Sequence, residues 1–457
     1  MRPFEILTLI IISGMLLTLF EHKDRKLFLY LLLCAIISTA VSYFVESIRW
    51  QFLPALYLLP VTYIIHRVQS GSLRSHFKAL LSVWFIMALI LPWAIPIFKL
   101  SKPGGKYAVG TETFYWVDSS RSEWFTHEDP NDKREMMVQV WYPGQNKPHT
   151  KPEAYMDFIQ LRSKTLASAG KLPSFFPSHL DLIKTHSYLN IEFIKKDSPS
   201  PVLIFSHGIT GSRHLHQVLF EYLASRGYVI VAPDHSYDCN LTIFPNGQLA
   251  DYRSDITGHP DSVKIRRKQI NTRSRDIQFI IDQLERIEQG SIGSQLFGNI
   301  DLDKIAVGGH SYGGATATLS THIDKRITAC LVLDSWASPL PESVLNTGIH
   351  VPFLFMGRPS WENSDYPGNY SILDSLIAHS SEPKYQLVIQ QTEHLDYTDI
   401  PIYSPLIKYF MDVGDLRPSE SLPIINELVY GFLEKHLKGN ELNIYERALN
   451  NDLIIRY

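Results

Sequence analysis

The sequence predicts a doubly wound α/β domain with a mostly parallel sheet, preceded by an all-α transmembrane region of about four helices. Three observations predict it. From about residue 101 onward, short apolar, β-branched runs alternate with helix-length segments, as in a sheet covered by helices on both faces. The strand-like run Lys304–Val307 leads into Gly309-His310-Ser311-Tyr312-Gly313, a Gly-x-Ser-x-Gly turn followed by Gly314-Ala315. In that sequence context the pattern reads as a nucleophile elbow, whose backbone passes from strand to helix too tightly for side chains on either flank. Four apolar stretches crowd the first hundred residues, so the chain divides into a helical region, 1–100, and a catalytic domain, 101–457.

The apolar stretches are Phe4–Phe20, Leu27–Val45, Phe52–Val68 and Phe77–Phe98. Each approaches the roughly 20 residues that a helix needs to cross a bilayer. The first resembles a secretory leader, but it has few positive charges before it and no small-residue cleavage site, and three more apolar stretches follow. Four spans leave both ends on one side of the membrane. Lys23, Arg25, Lys26, Arg67, Arg74 and Lys78 border the first and third joints, against Arg2, Arg49, Lys99, Lys102 and Lys106 on the other side. That bias of six to five places the joints in the cytoplasm and the large domain outside a cell membrane, in the manner of a multi-pass bacterial protein. No buried acid is expected in the spans, so the region reads as an anchor in the lipid bilayer, with Pro54, Pro60, Pro92 and Pro96 available to kink the last two helices.

The net charge of −3, without long runs of either sign, gives no footing for nucleic acid. Three cysteines make no disulfide framework, and Cys239 and Cys330 read as buried free thiols. Candidate strands are Thr113–Val117, Met136–Tyr142, Val202–Ser206, Tyr228–Ala232, Lys304–Val307, Ala329–Leu333, Val351–Met356 and Tyr385–Ile389, the first two forming an antiparallel edge. Among the candidate helices, His214–Ser225 stops before a capping glycine, Gly227. Ile270–Ile287 carries Ile270, Ile277, Ile280, Ile281, Leu284 and Ile287 on one stripe, and Ser421–Leu437 is the last.

A serine nucleophile needs a base, an acid to orient that base, and donors for the oxyanion. In this architecture the expected chain order is serine, acid, histidine. Asp334 ends the apolar strand Ala329–Leu333, at the sheet edge where ligands gather. His394 lies in the polar loop beyond Tyr385–Ile389. Asp324, Glu342 and Glu362 compete with Asp334, and His322, His350 and His379 with His394, but none of the acids ends an apolar strand. On the oxyanion side, Val202–Ser206 runs into His207-Gly208-Ile209, and the amides of Ile209 and Tyr312 are the expected donor pair. His207, His214 and His216 have no acid or cysteine at metal-ligand spacing, so no metal is expected, and without a dinucleotide fingerprint no cofactor either.

Together, Val138-Gln139-Val140-Trp141-Tyr142-Pro143, Phe205-Ser206-His207-Gly208, Gly309–Thr316, Leu333-Asp334-Ser335-Trp336 and His394-Leu395-Asp396-Tyr397-Thr398-Asp399 resemble the platelet-activating factor acetylhydrolase family of α/β-hydrolases, in its plasma-type branch and bacterial relatives. The resemblance covers most of residues 107–440 and none of the apolar region. It implies Ser311 as nucleophile, His394 as base, Asp334 as its orienting carboxylate, and Ile209 and Tyr312 as oxyanion donors. His207, Gly208 and Trp336 are implied to line the substrate. The implied substrates are short-chain or oxidised acyl esters, phospholipids among them. The segment Tyr155–Asn190 reads either as a lid or acyl pocket or as a helical excursion packed on the sheet. The same triad serves acyl transfer to an alcohol and polyester hydrolysis, and a silent membrane scaffold is the alternative from another class.

Overall fold

A computed structural model of the chain describes residues 1–21, 24–69, 72–145, 151–255 and 259–457. Lys23, which enters the charge comparison above, lies outside them. The chain separates into two compact units. One comprises Met1–Lys99 with Ser178–Ile183 and Ile402–Ile407; the other comprises Leu100–Pro177, Lys184–Pro401 and Lys408–Tyr457.

The first unit holds helices α1 (Pro3–Glu21), α2 (Arg25–Glu46), α3 (Leu53–Val68) and α4 (Ser75–Ala94). Asp24 starts α2 by accepting the amides of Lys26 and Leu27 at 3.1 and 3.0 Å. α1, α2 and α4 are long and apolar enough to cross a membrane. α3 is not: it has 16 residues, with Pro54 in its first turn and Pro60 inside it. Large apolar side chains such as Leu33, Ile37, Phe44, Val83, Ile86 and Ile90 remain exposed on α2 and α4, an arrangement costly in water and favourable in lipid. One expectation fails here. Glu5 lies in the first turn of α1 and is fully buried. Arg49 clasps both of its oxygens at 2.7 and 2.8 Å, Arg2 adds a contact at 2.8 Å, and Arg49 also donates to the carbonyls of Ile95 and Pro92. The acid sits at the edge of its apolar run, where a sequence reading takes it for a flank, and its partner is remote in the chain.

The strands of the second unit are β1 (Ala108–Ser122), β2 (Lys133–Gly144), β3 (Ser187–Leu189), β4 (Ser200–Ser206), β5 (Val229–Asp234), β6 (Leu241–Ile243), β7 (Leu249–Asp251), β8 (Ile300–His310), β9 (Ile327–Leu333), β10 (Phe353–Gly357), β11 (Lys384–Ile389) and β12 (Ile454–Arg456). Among the described residues, ten of them form one sheet in the order β12-β11-β10-β9-β8-β4-β5-β2-β1-β3. From β11 to β5 all neighbours are parallel; β2 joins β5, and β1 joins β2, antiparallel, as the sequence predicts. The helices are α5 (Ile159–Ala169), α6 (Gln217–Ala224), α7 (Ser262–Glu288), α8 (Tyr312–Ile323), α9 (Glu342–Thr347), α10 (Asn369–His379), α11 (Pro418–Lys438) and α12 (Asn443–Leu449).

Two apolar layers sandwich the sheet, and strand periodicity assigns residues to them. Val202 and Ile204 of β4 join one core with the α7 stripe Ile270, Ile277, Ile280, Ile281, Leu284 and Ile287. Leu203 and Phe205 join the other, with α6 and with Ile425, Leu428, Val429 and Phe432 of α11. Each such side chain contributes about 1.5–3 kcal/mol when fully buried. The parallel strands are therefore apolar on both faces, while β1 alternates.

The elbow between β8 and α8 is where backbone space is smallest. A β-carbon on Gly313 would land on the carbonyl oxygen of Ser206 in β4, and one on Gly309 would strike the Gly313 carbonyl. Neither neighbour is a flexible side chain. Gly313→Ala is therefore expected to destabilise the protein by about 3 kcal/mol, measured by chemical denaturation. An unchanged midpoint would mean that the elbow has slack.

Candidate active site

Ser311 occupies the point where β8 ends and α8 begins, at φ 56 and ψ −120, a left-handed conformation that a non-glycine residue adopts at a cost. Its N–H donates to the Leu333 carbonyl at 3.0 Å and its own carbonyl accepts from the Trp336 amide at 3.1 Å, tying the elbow to the end of β9. Asp334 follows that strand directly, also at positive φ, 40, and is fully buried. His394 stands in a one-turn helix, His394–Tyr397, after β11. Three strand ends thus bring three residues, 83 positions apart at the extremes, to one edge of the sheet.

The His394–Asp334 half is assembled. His394 Nδ1 donates to Asp334 Oδ2 at 2.6 Å. Asp334 Oδ1 accepts the Arg358 amide and the Trp361 indole N–H, both at 3.1 Å, while the Arg358 guanidinium lies 3.4 Å from Oδ2. The carboxylate is thereby aimed at the imidazole by charge-assisted hydrogen bonds. The Trp361 ring stands edge-on to the imidazole at 5.2 Å, and the centre of the His310 ring lies 4.6 Å from that of His394 while its Nε2 donates to the His394 carbonyl at 2.9 Å. Burial holds His310 well below the ordinary imidazole range, so it stays neutral in that bond. Among the described residues, Ser311 Oγ makes no hydrogen bond to His394; such contacts often tighten only when substrate is bound.

The loop behind His394 is pinned by its two acids. Asp396 accepts the amides of Glu393 and Gly414 at 2.8 and 2.7 Å, and Asp399 accepts the Gln217 amide at 2.7 Å and the Tyr155 hydroxyl at 3.1 Å. Asp399 therefore caps α6, which begins at Gln217 and not at His214 as the sequence suggests. Of the rival residues, Asp324 pairs with Arg326 at 2.7 Å and His350 bonds Ser381 at 2.7 Å, both committed elsewhere.

The His-Gly turn lies against the elbow: a β-carbon on Gly208 would stand 3.2 Å from both the Ser311 Cβ and His310 Nδ1. Ile209 and Tyr312 are thus brought to the same serine, Tyr312 as the first residue of α8, where helical amides lack internal partners. The His207 side chain is engaged within the turn. It is buried, its Nδ1 donates to the Gly208 carbonyl at 2.7 Å, and its Nε2 accepts the His235 amide at 3.2 Å. Since Gly208 C=O and Ile209 N–H share one planar peptide, the ring fixes the direction of that N–H. His207 is thus a support of the turn. Trp336 is nine-tenths buried beside the elbow, its ring 5.6 Å from that of Tyr312 and 4.4 Å from that of Tyr366.

The fold also places Asp234 and Cys239 near His207, although no spacing in the sequence suggests it. These three do not present a free ligand set. Asp234 is occupied by the Arg213 amide and guanidinium, both His207 nitrogens are engaged, and burial pushes the Cys239 thiol up to about 12. Behind the turn, Ser206 Oγ donates to His235 Nε2 at 2.9 Å and His235 Nδ1 to Asp276 at 2.9 Å. This second serine–histidine–aspartate alignment is fully buried, and burial holds His235 down to about 4. With all three side chains closed to solvent, it serves as scaffolding. Sequence reading misses it, along with Arg358 and Trp361. Arg358 was within reach, since it follows the end of an apolar strand just as Asp334 does.

A family model described as platelet-activating factor acetylhydrolase, isoform II, matches residues 97–451. The chain belongs to that family. This membership makes it a carboxylic ester hydrolase. Among curated relatives, platelet-activating factor acetylhydrolase of Canis lupus familiaris is 24% identical over 77% of this chain and 80% of its own length. A probable 1-alkyl-2-acetylglycerophosphocholine esterase of Arthroderma benhamiae is 23% identical over 53% and 62%. A solved structure of a ferulic acid esterase from Streptomyces cinnamoneus superposes with a TM-score of 0.63 at 23% identity, covering 79% of this chain and 99% of that one. That likeness identifies the α/β-hydrolase fold of this acetylhydrolase-family member.

Proposed function

We propose that the chain is a membrane-held serine esterase that removes short or oxidised acyl chains from phospholipids. Ser311 attacks the ester carbonyl while His394 takes its proton through Nε2, and Asp334 steadies the imidazolium that forms. The Ile209 and Tyr312 amides receive the oxyanion. Protonated His394 then releases the alcohol, and water activated by His394 clears the acyl-enzyme. The observation that carries this reading is the 2.6 Å bond from His394 Nδ1 to a fully buried Asp334, beside a serine held at φ 56 on a strand-to-helix turn. The names of the relatives support a glycerophospholipid ester as substrate, and α1, α2 and α4 support a place in the bilayer beside it.

The test is hydrolysis by the full chain in detergent of p-nitrophenyl acetate, butyrate and palmitate, and of 1-alkyl-2-acetyl- against 1-alkyl-2-palmitoylglycerophosphocholine, with Ser311→Ala as control. Turnover that depends on Ser311 and falls by about 10-fold or more from acetyl to palmitoyl is expected, the pattern of a pocket that accepts a short acyl group and rejects a long one. A preference for palmitoyl esters would make it a lipase. Transfer of the acyl group to an added alcohol in place of water would make it an acyltransferase.

A further inference from the structure

We infer that Arg273 is a positioning residue that holds the two amide donors of the oxyanion site in register. This rests on the assignment of Ile209 and Tyr312 as those donors. The donors come from separate elements, the turn after β4 and the start of α8, and nothing in the chain's connectivity fixes one against the other. Arg273, on α7 and almost completely buried, touches both sides. Its Nη1 donates to the His207 carbonyl at 2.7 Å, on the peptide just before the one that carries the Ile209 amide. Its guanidinium carbon lies 4.6 Å from the centre of the Tyr312 ring, over which it stacks. Asp238 orients the fork, accepting from Nε at 2.5 Å through its carboxylate and from Nη2 at 3.1 Å through its carbonyl. The Tyr312 hydroxyl donates to the Arg266 carbonyl at 2.8 Å, so the ring is fixed to the helix that supplies the arginine.

A planar, five-donor cation meets these demands together; lysine, a single charged point on a flexible stem, meets one at a time. The arrangement matters most when charge develops on the substrate oxygen, because only then must both amides point at one atom.

The test compares the full chain with Arg273→Met, Arg273→Lys and Asp238→Ala, using p-nitrophenyl acetate and a trifluoromethyl ketone that forms a tetrahedral adduct with the serine. A displaced oxyanion donor lowers kcat by about 10- to 100-fold in Arg273→Met, with KM changed less than about 3-fold and ketone affinity weakened by the factor lost in kcat/KM. Arg273→Lys falls between parent and Arg273→Met. Parent-like constants, a change in KM alone, or a kcat loss with full ketone affinity would overturn the inference. If Arg273→Met does not fold, Asp238→Ala decides: it leaves the arginine in place but removes the carboxylate that accepts from Nε, and must show the same parallel loss. Turnover in the parent that persists in Ser311→Ala would instead defeat the esterase reading, and this one with it.

Discussion

Replacing Ser311 by alanine is expected to lower ester turnover by about 10^5-fold or more, with no loss of thermal stability. The serine side chain makes no hydrogen bond that folding depends on, and alanine accepts the same strained backbone no better and no worse. Ser311→Gly, which relaxes φ 56, is expected to gain about 1 kcal/mol in chemical denaturation while remaining equally inactive. Asp334→Asn is expected to lose about 10^3- to 10^4-fold. Its remaining oxygen still accepts from the Arg358 amide and the Trp361 indole, which leaves the new NH2 group facing His394. Two donors then meet, the imidazole changes tautomer, and Nε2 is protonated before the serine needs it. If Asp334→Asn matched the parent rate, the acid would have to lie elsewhere.

The second large effect is a steep loss of stability in mild acid. His207, His214, His216, His235 and His310 are all buried, and burial lowers the affinity of each for a proton, His235 to about 4 and His216 to about 3. The unfolded chain takes up these protons near pH 6.5, whereas the folded chain refuses them until far lower. Their contribution is therefore intact above about pH 6.5 and declines as pH falls toward 4, by up to about 1.4 kcal/mol per pH unit for each histidine. Two acids work the other way. Burial raises Asp396 to about 6 and Asp399 to about 8, so their contribution weakens as pH rises. Asp276, which burial would raise, is held well below its usual range by Arg134 and Arg121, and drops out of the window. The histidine share is isolated by His216→Phe. His216 Nε2 has no hydrogen-bond partner, and the ring packs on Phe205 and Phe220, so phenylalanine fits the surroundings. Unfolding free energy measured between pH 7.5 and 4.5 is expected to fall less steeply in this variant, by up to one proton. Equal slopes would show that His216 is charged in the folded state.

Local patterns were legible where neighbours in sequence share one physical task. The α7 stripe declares its buried face through 3.6-residue spacing, and β4 and β9 declare themselves as doubly covered through unbroken apolar runs. The elbow and the strand-end position of Asp334 follow from the same logic, because sheet geometry decides where strand ends gather. What sequence left unread depends on pairs made across the fold. His235 meets Asp276 from 41 positions away, and Tyr155 meets Asp399 from 244. The short edge strands β3 and β12 have three residues each, too few for periodicity to register. His207 is a related case: only the three-dimensional path of the chain shows both its ring nitrogens engaged, by the Gly208 carbonyl and the His235 amide.

The Glu5–Arg49 clasp sets a condition on how the protein is made. The acid emerges first during synthesis, its counter-ion follows 44 residues later, and the carbonyls of Pro92 and Ile95 that complete the cage come last. Until then Glu5 has Arg2, three residues before it, as its partner, and the carbonyls that Arg49 also needs are still missing. A truncation ending before α4 would leave the buried Arg49 without the two carbonyls that share its charge with Glu5.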